Sequence, residues 1–291
     1  MPSLKRALPS QLRANLRRFS SHQGWVLGVV NVTPDSFYPR SRVMRRSSAL
    51  TLATRLVSEG ADGLDVGAES TRPGARPITE EEEMRRLLPV IEAMRNKFPH
   101  LPLSVDTRKA NVAIAAMLRG AQLVNDISAL RDDPAMADVV AETKAPVILM
   151  HMQGSPQTMQ RRPRYKTVVD DVKSFFEERL GFALRKGIRE KQIILDPGIG
   201  FGKTLRHNLL LLRHLRDFLS LGRPLLLGLS RKSFVGQVLK TAKGPLAVED
   251  RLEGTLGASL WALSQGAAGF RTHDVKATRH AFTLWKAIQT A

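Results

Sequence analysis

The sequence predicts an α/β fold, a (β/α)8 TIM barrel with a short basic N-terminal extension, and three observations carry that expectation. Eight short runs rich in aliphatic and β-branched residues recur along the chain, with stretches of helical periodicity between them. The runs are almost continuously apolar, as strands of a parallel sheet covered on both faces must be. Polar residues gather at or just past their ends, and closing the sheet brings all eight ends to one mouth. In an open sheet in sequence order the outermost strands would stand about 34 Å apart, at ~4.8 Å per strand, too far to share a small ligand.

The eight runs are Val26–Val32, Leu64–Val66, Leu103–Val105, Leu123–Ile127, Val147–Met150, Ile193–Leu195, Leu225–Leu229 and Gly269–Arg271. Between the second and third, a helix over Glu80–Lys97 takes Thr79 as its N-cap. It opens with four glutamates, Glu80 to Glu83, at the positive helix end and closes with Arg95 and Lys97. Lys109–Arg119 is Ala-rich and stops at Gly120, a C-cap signal. Val168–Lys186 and Glu249–Gln265 are long amphipathic stretches, and Asp274–Lys286 reads as the helix after the last strand. No low-complexity linker divides residues 24–291, so one domain is expected there. Residues 1–23 form the extension: Lys5, Arg6, Arg13, Arg17 and Arg18 stand there without an acid, a composition shared by organelle-targeting presequences and plain basic tails.

With 291 residues and 43% hydrophobic content, the chain can bury a full core. No apolar run reaches membrane-spanning length, so a soluble protein is expected. The absence of Cys excludes disulfides, thiolate nucleophiles and Cys-based zinc sites, and fits a cytoplasmic location. A net charge of +18 first suggests nucleic acid, but two Tyr and three Trp make a poor stacking platform and the basic residues are dispersed. Such a field attracts a small anionic substrate equally well, and much of it is solvated surface. Neither nucleic acid nor membrane is the expected partner.

The strand ends carry Asn31, Asp65, Asp106, Asn125 with Asp126, His151, Asp196, Ser230 with Lys232, and Arg271 with His273. Asp106 and Asp196 could serve as a glycosidase pair, as metal ligands, or as acceptors for heterocycle N–H groups. Thr107 and Pro197 follow them directly, which leaves a helix-capping or turn role open. Asn125 offers both donors and an acceptor, Lys232 offers three donors, and Arg271 can stack on a ring or fork onto phosphate. Together these suit a pterin- or purine-like ring better than a sugar. Arg271 and His273 share one strand face ahead of a helix N-terminus, a cradle for a diphosphate built from two potentially cationic side chains. The run Asp196-Pro197-Gly198-Ile199-Gly200-Phe201-Gly202-Lys203-Thr204 is no P-loop, because Pro197 stands where Walker A needs Gly. Its glycines suit close backbone approach to a ligand, with Phe201 as an apolar wall.

Eight motifs in order resemble the dihydropteroate synthases, the pterin-binding barrels of folate synthesis. They are Asn31-Val32-Thr33-Pro34-Asp35-Ser36-Phe37, Asp65-Val66-Gly67-Ala68-Glu69-Ser70-Thr71-Arg72-Pro73-Gly74, Ser104-Val105-Asp106-Thr107, Asn125-Asp126-Ile127, Met150-His151-Met152-Gln153-Gly154, Asp196-Pro197-Gly198-Ile199-Gly200-Phe201-Gly202-Lys203, Ser230-Arg231-Lys232-Ser233 and Arg271-Thr272-His273-Asp274. The resemblance implies condensation of (7,8-dihydropterin-6-yl)methyl diphosphate with 4-aminobenzoate, inhibition by sulfonamides, and a homodimer. By the same resemblance Asp106, Asn125, Asp196 and Lys232 hold the pterin and Arg271 stacks on it. Asn31 would ligate Mg2+, and Arg271 with His273 would hold diphosphate. Thr71, Arg72, Pro73, Phe201 and Ser230 would shape the aminobenzoate side. Arg231 receives no role.

One loop departs from the family pattern. After Asp-Ser-Phe the family usually has one residue and then Asp-Gly-Gly, where this chain has Tyr38-Pro39-Arg40-Ser41-Arg42. A φ-locked proline and added positive charge replace two glycines, so a stiffer loop with Arg40 or Arg42 near diphosphate is expected. Two rival readings follow from the residues. A methyltransferase barrel for a methylated pterin would share the acids but does not need the Arg271–His273 cradle. A non-catalytic relative would keep the pocket without turnover.

Overall fold

Alternation along each strand separates two apolar layers, one filling the barrel and one packing under the helices. The computed structural model describes residues 24–32 and 46–291. Its strands are β1 (Trp25–Asn31), β2 (Gly63–Gly67), β3 (Leu103–Asp106), β4 (Leu123–Asp126), β5 (Val147–Met150), β6 (Ile193–Asp196), β7 (Leu226–Gly228) and β8 (Gly269–Thr272). All pair in parallel, in the order β6-β5-β4-β3-β2-β1-β8-β7. The ring closes between β6 and β7 through a single parallel bridge, Leu195 to Leu225, with Leu195 N–H donating to the Pro224 carbonyl at 3.0 Å.

Trp25, Leu27, Leu123, Ile148, Ile194 and Leu226 form the inner cluster. Their strand neighbours Val26, Val124, Val147, Leu149, Ile193, Leu195, Leu225 and Leu227 join the larger outer one. The described helices are α1 (Arg46–Ser58), α2 (Glu80–Lys97), α3 (Ala110–Leu118), α4 (Met136–Thr143), α5 (Val168–Arg185), α6 (Leu205–Arg213), α7 (Ser233–Val238), α8 (Leu252–Ser264) and α9 (Val275–Thr290). The cap expected for α2 is present, Thr79 Oγ1 accepting from Glu82 N–H at 3.3 Å. The stretch read as one helix over Glu249–Gln265 begins instead as a 3-10 turn, Val248–Arg251, before α8. None of the described helices is long and apolar enough to cross a membrane. The basic extension and the loop carrying Tyr38-Pro39-Arg40-Ser41 lie outside the described residues.

Candidate active site

The alternation that fills the barrel with apolar groups also brings polar groups to its mouth. Two residues beyond Leu123 stands Asn125, two beyond Ile194 stands Asp196, and four beyond Leu27 stands Asn31. Strand register places Asn31, Gly67, Asp106 and Asn125 in one row across β1 to β4.

Asp65, fully buried on β2, organises this row from below. Its Oδ2 accepts from Arg271 Nε and, at 3.1 Å, from Asn125 Nδ2. Arg271 Nη2 reaches Asp106 Oδ2 at 3.0 Å, so one guanidinium is clamped between two carboxylates. Burial, reinforced by Asp65, pushes the Asp106 carboxyl up, with Arg271 opposing. Burial also acts against the Arg271 charge, but Asp65 and Asp106 outweigh it and raise its pKa. The sequence placed Asp65 among the polar strand ends but gave it no role. Its signal was an Asp inside an otherwise apolar run, which a dry strand holds only when paired.

On β6, Asp196 Oδ1 accepts from Gly198 N–H at 2.7 Å, and burial raises its pKa with Lys232 opposing. Lys232 Nζ donates to the Ile199 carbonyl and lies 4.6 Å from the centre of the Phe201 ring. Burial brings this ammonium down to about 8 against the attraction of Asp196. The glycine loop packs tightly against the protein's own backbone: at Gly198, φ +67, a Cβ would lie 2.0 Å from the His151 carbonyl oxygen. At Gly200, φ +85, it would lie 3.1 Å from Lys232 Cδ.

His151 and Lys203 pin that loop from behind. Lys203 Nζ bonds His151 Nδ1 at 2.9 Å and the Phe201 carbonyl at 3.0 Å, and the His151 ring packs edge-on against Phe175 at 4.7 Å. Burial pushes both groups well below their ordinary pKa values. Lys203 was expected only as part of a glycine-run motif, and its cross-strand partner could not be read from local sequence.

At β7 and β8, Ser230 Oγ accepts from the His273 backbone N–H at 3.2 Å and meets His273 Nδ1 at 3.1 Å. The hydroxyl proton therefore points to Nδ1, which leaves the ring proton on Nε2. The sequence left His273 as a potentially cationic partner of Arg271. Burial, and then Arg271, lowers it to about 4, so it is a neutral N–H donor, and its buried Nε2 has no hydrogen-bond partner among the described residues. Arg72 contributes to the same depression, which brings it electrostatically within reach of His273. Arg231, left without a role above, is a brace: it forks onto both Asp274 oxygens at 2.8 Å and bonds the Val248 and Glu249 carbonyls.

Thr71, Arg72 and Pro73 lie on the loop between β2 and α2, with Pro73 exposed. Among the described residues no group of three or more His, Asp or Glu side chains comes together as a metal cluster. Asn31, the ligand expected from sequence, stands at the end of β1.

The pterin binding enzyme family model matches residues 27–273. A dihydropteroate synthase from Haemophilus influenzae is 41% identical over 266 residues, covering 91% of this chain and 94% of that protein. The structure of the Yersinia pestis dihydropteroate synthase in a sulfonamide drug complex superposes with a TM-score of 0.86 at 42% identity, over 93% of this chain and 96% of that one. That of the Xanthomonas albilineans enzyme in complex with 7,8-dihydropteroate gives 0.81 at 41% identity, over 92% and 95%. The chain therefore belongs to the pterin-binding enzymes and, within them, to the dihydropteroate synthases.

Proposed function

We propose that this chain carries out the family's condensation with the residues at the barrel mouth in the following roles. Asp106 and Asp196 accept from the edge of the pterin, Asn125 both accepts and donates, and Lys232 donates to a ring oxygen or nitrogen. Arg271 presents its face to the ring, its plane fixed by Asp65 and Asp106. The amine nitrogen of 4-aminobenzoate bonds to the pterin methylene carbon while the carbon–oxygen bond to diphosphate breaks. The bonding pair leaves with diphosphate, and the nitrogen releases a proton to solvent. Neutral His273 donates from Nε2 to the departing anion, and Arg271 and Arg72 supply positive charge beside it. Ser230 orients that imidazole, and Phe201, Thr71, Arg72 and Pro73 bound the aminobenzoate side.

Mg2+ suits Asn31 because this ion keeps most of its waters and binds through few protein oxygens together with substrate phosphates. When bound, it would neutralise charge on the leaving diphosphate. The observation that carries the reading is the single guanidinium shared by two carboxylates, Asp65 fully buried and Asp106 10% exposed, with Lys232 and Asp196 set at the ends of the neighbouring strands. Incubating the purified protein with pterin diphosphate, 4-aminobenzoate and Mg2+ should yield 7,8-dihydropteroate. Intact pterin binding without product would mark a non-catalytic relative.

We also infer a cytoplasmic homodimer. Its location rests on the absence of Cys. Its interface would lie on the apolar groove of α6, α7 and α8, where Leu209, Val238, Leu239 and Trp261 are exposed. The small-residue face expected there is partly spent within the chain. A Cβ on Gly254 would meet Val235 and Leu239 at 2.5 and 2.6 Å, whereas Gly257 faces open space.

A further inference from the structure

The loop between β2 and α2 carries Thr71, Arg72 and Pro73, yet both of its ends are held by residues that follow β3. Lys109 Nζ donates to Glu69 Oε2 at 2.6 Å where the loop begins and to the Ile78 carbonyl at 2.9 Å where it finishes. It also pairs with Glu83 in the first turn of α2. Arg108 bridges the other Glu69 oxygen to Asp132. The Ile78 backbone N–H returns to Glu69 Oε2 at 3.3 Å, closing the loop on itself.

The two glutamates at its centre are dry, Glu83 1% and Glu69 7% exposed, whereas Asp132 at its outer end is 41% exposed. Burial alone would raise the Glu69 carboxyl, but hydrogen bonds from Lys109 and Arg108 hold it below its usual value, so it stays ionised. A buried charged network adds little net stability over an apolar one but can fix a single arrangement. Between its ends, Ala75 N–H donates to the Arg72 carbonyl and Gly74 N–H to the Pro156 carbonyl, each at 3.0 Å. Arg108 and Lys109 also stand directly after Asp106 and Thr107, so the stretch that ends in the clasp begins at the pterin carboxylate.

We propose that Glu69, Lys109 and Arg108 form a clasp that positions the Thr71-Arg72-Pro73 segment for the second substrate, an aromatic amine bearing a carboxylate. They touch no substrate and act as positioning residues through the loop. The proposal rests on that segment bounding the aminobenzoate side, so its test must separate the two ideas.

Steady-state kinetics with both substrates, on Glu69→Gln, Lys109→Met, Lys109→Arg and Arg72→Ala, make that separation. The clasp predicts that Glu69→Gln and Lys109→Met raise the KM for 4-aminobenzoate roughly tenfold while the KM for pterin diphosphate stays within about twofold. Lys109→Arg, which keeps charge and donors, should recover most of the loss. If Lys109→Met does not fold, the double variant Lys109→Met/Glu83→Gln, which removes one buried charge of each sign, replaces it. Equal shifts in both KM values, no shift, or an Arg variant no better than Met would overturn the clasp. Arg72→Ala with an unchanged KM for 4-aminobenzoate would fault the loop's role instead. A raised value there, with the clasp variants normal, faults the clasp alone.

Discussion

Asp65 and Arg271 stand 206 positions apart in the chain and meet as a salt bridge at the barrel mouth, with the carboxylate fully buried. The bridge joins the second strand to the eighth across β1 and fixes the guanidinium plane on which the pterin is expected to stack. Asp65→Asn keeps the shape and removes the charge. It should weaken pterin binding and cost on the order of 10²-fold in kcat/KM for pterin diphosphate. Breaking a buried pair also costs about 3–5 kcal/mol of stability. Calorimetric pterin titration and thermal unfolding of the variant check both numbers.

The pH dependence follows from Lys232. Its ammonium is lowered to about 8, so it is charged below that value and loses its proton as pH rises through it. The kcat/KM for pterin diphosphate should therefore fall above about pH 8. Lys232→Arg, whatever its absolute rate, should lack that alkaline limb because a guanidinium stays protonated. A pH–rate profile of both proteins with an identical limb would assign the fall to another group.

Gly198 supports the loop that carries Phe201. Gly198→Ala forces a Cβ to within 2.0 Å of a backbone carbonyl at a positive φ, so the chain must move. A loss on the order of 3 kcal/mol is expected. Thermal unfolding should show it, together with a raised KM for 4-aminobenzoate.

Arg231 should behave as structure rather than chemistry. Its fork onto Asp274 ties the end of β7 to the start of α9, and Arg231→Met leaves that carboxylate without its partner. A loss of about 3–5 kcal/mol in denaturant unfolding is expected. Partial rescue by the double change Arg231→Met/Asp274→Asn would confirm that the unpaired charge is the cause.

For the dimer, Val238→Asp places a charge on a half-exposed apolar position of α7 without removing a polar contact. Sedimentation at micromolar concentration should show dimer for the parent and monomer for the variant.

Much of this arrangement was legible in the sequence because its causes are local or periodic. Thr79 and the four glutamates after it fixed the start of α2, and its bounds came out as expected. The barrel and its mouth followed from apolar runs that alternate with helical stretches and end in polar residues, Asn125 and Asp196 among them. What escaped depends on contacts between distant side chains. Asp65 reads as one polar residue in an apolar run until Arg271 arrives from β8. Arg231 has no assignable role in the sequence until Asp274 and the carbonyls before α8 enclose it. The charge state of His273 needed its surroundings, since a neutral ring at about 4 is a consequence of burial and of Arg271 rather than of its own chemistry. The thin β6–β7 seam likewise depends on where two short strands stop, which apolar runs mark only to within a residue or two.

The central claim is that one pterin is held by the ends of strands that close around a single mouth, with Lys232 among its contacts. The direct measurement is kcat/KM for pterin diphosphate in Lys232→Met, a variant that keeps the side-chain length and removes the charge. A fall on the order of 10²-fold, with thermal stability unchanged or raised by loss of a buried ammonium, is the predicted result. A kcat/KM equal to that of the parent protein would contradict it.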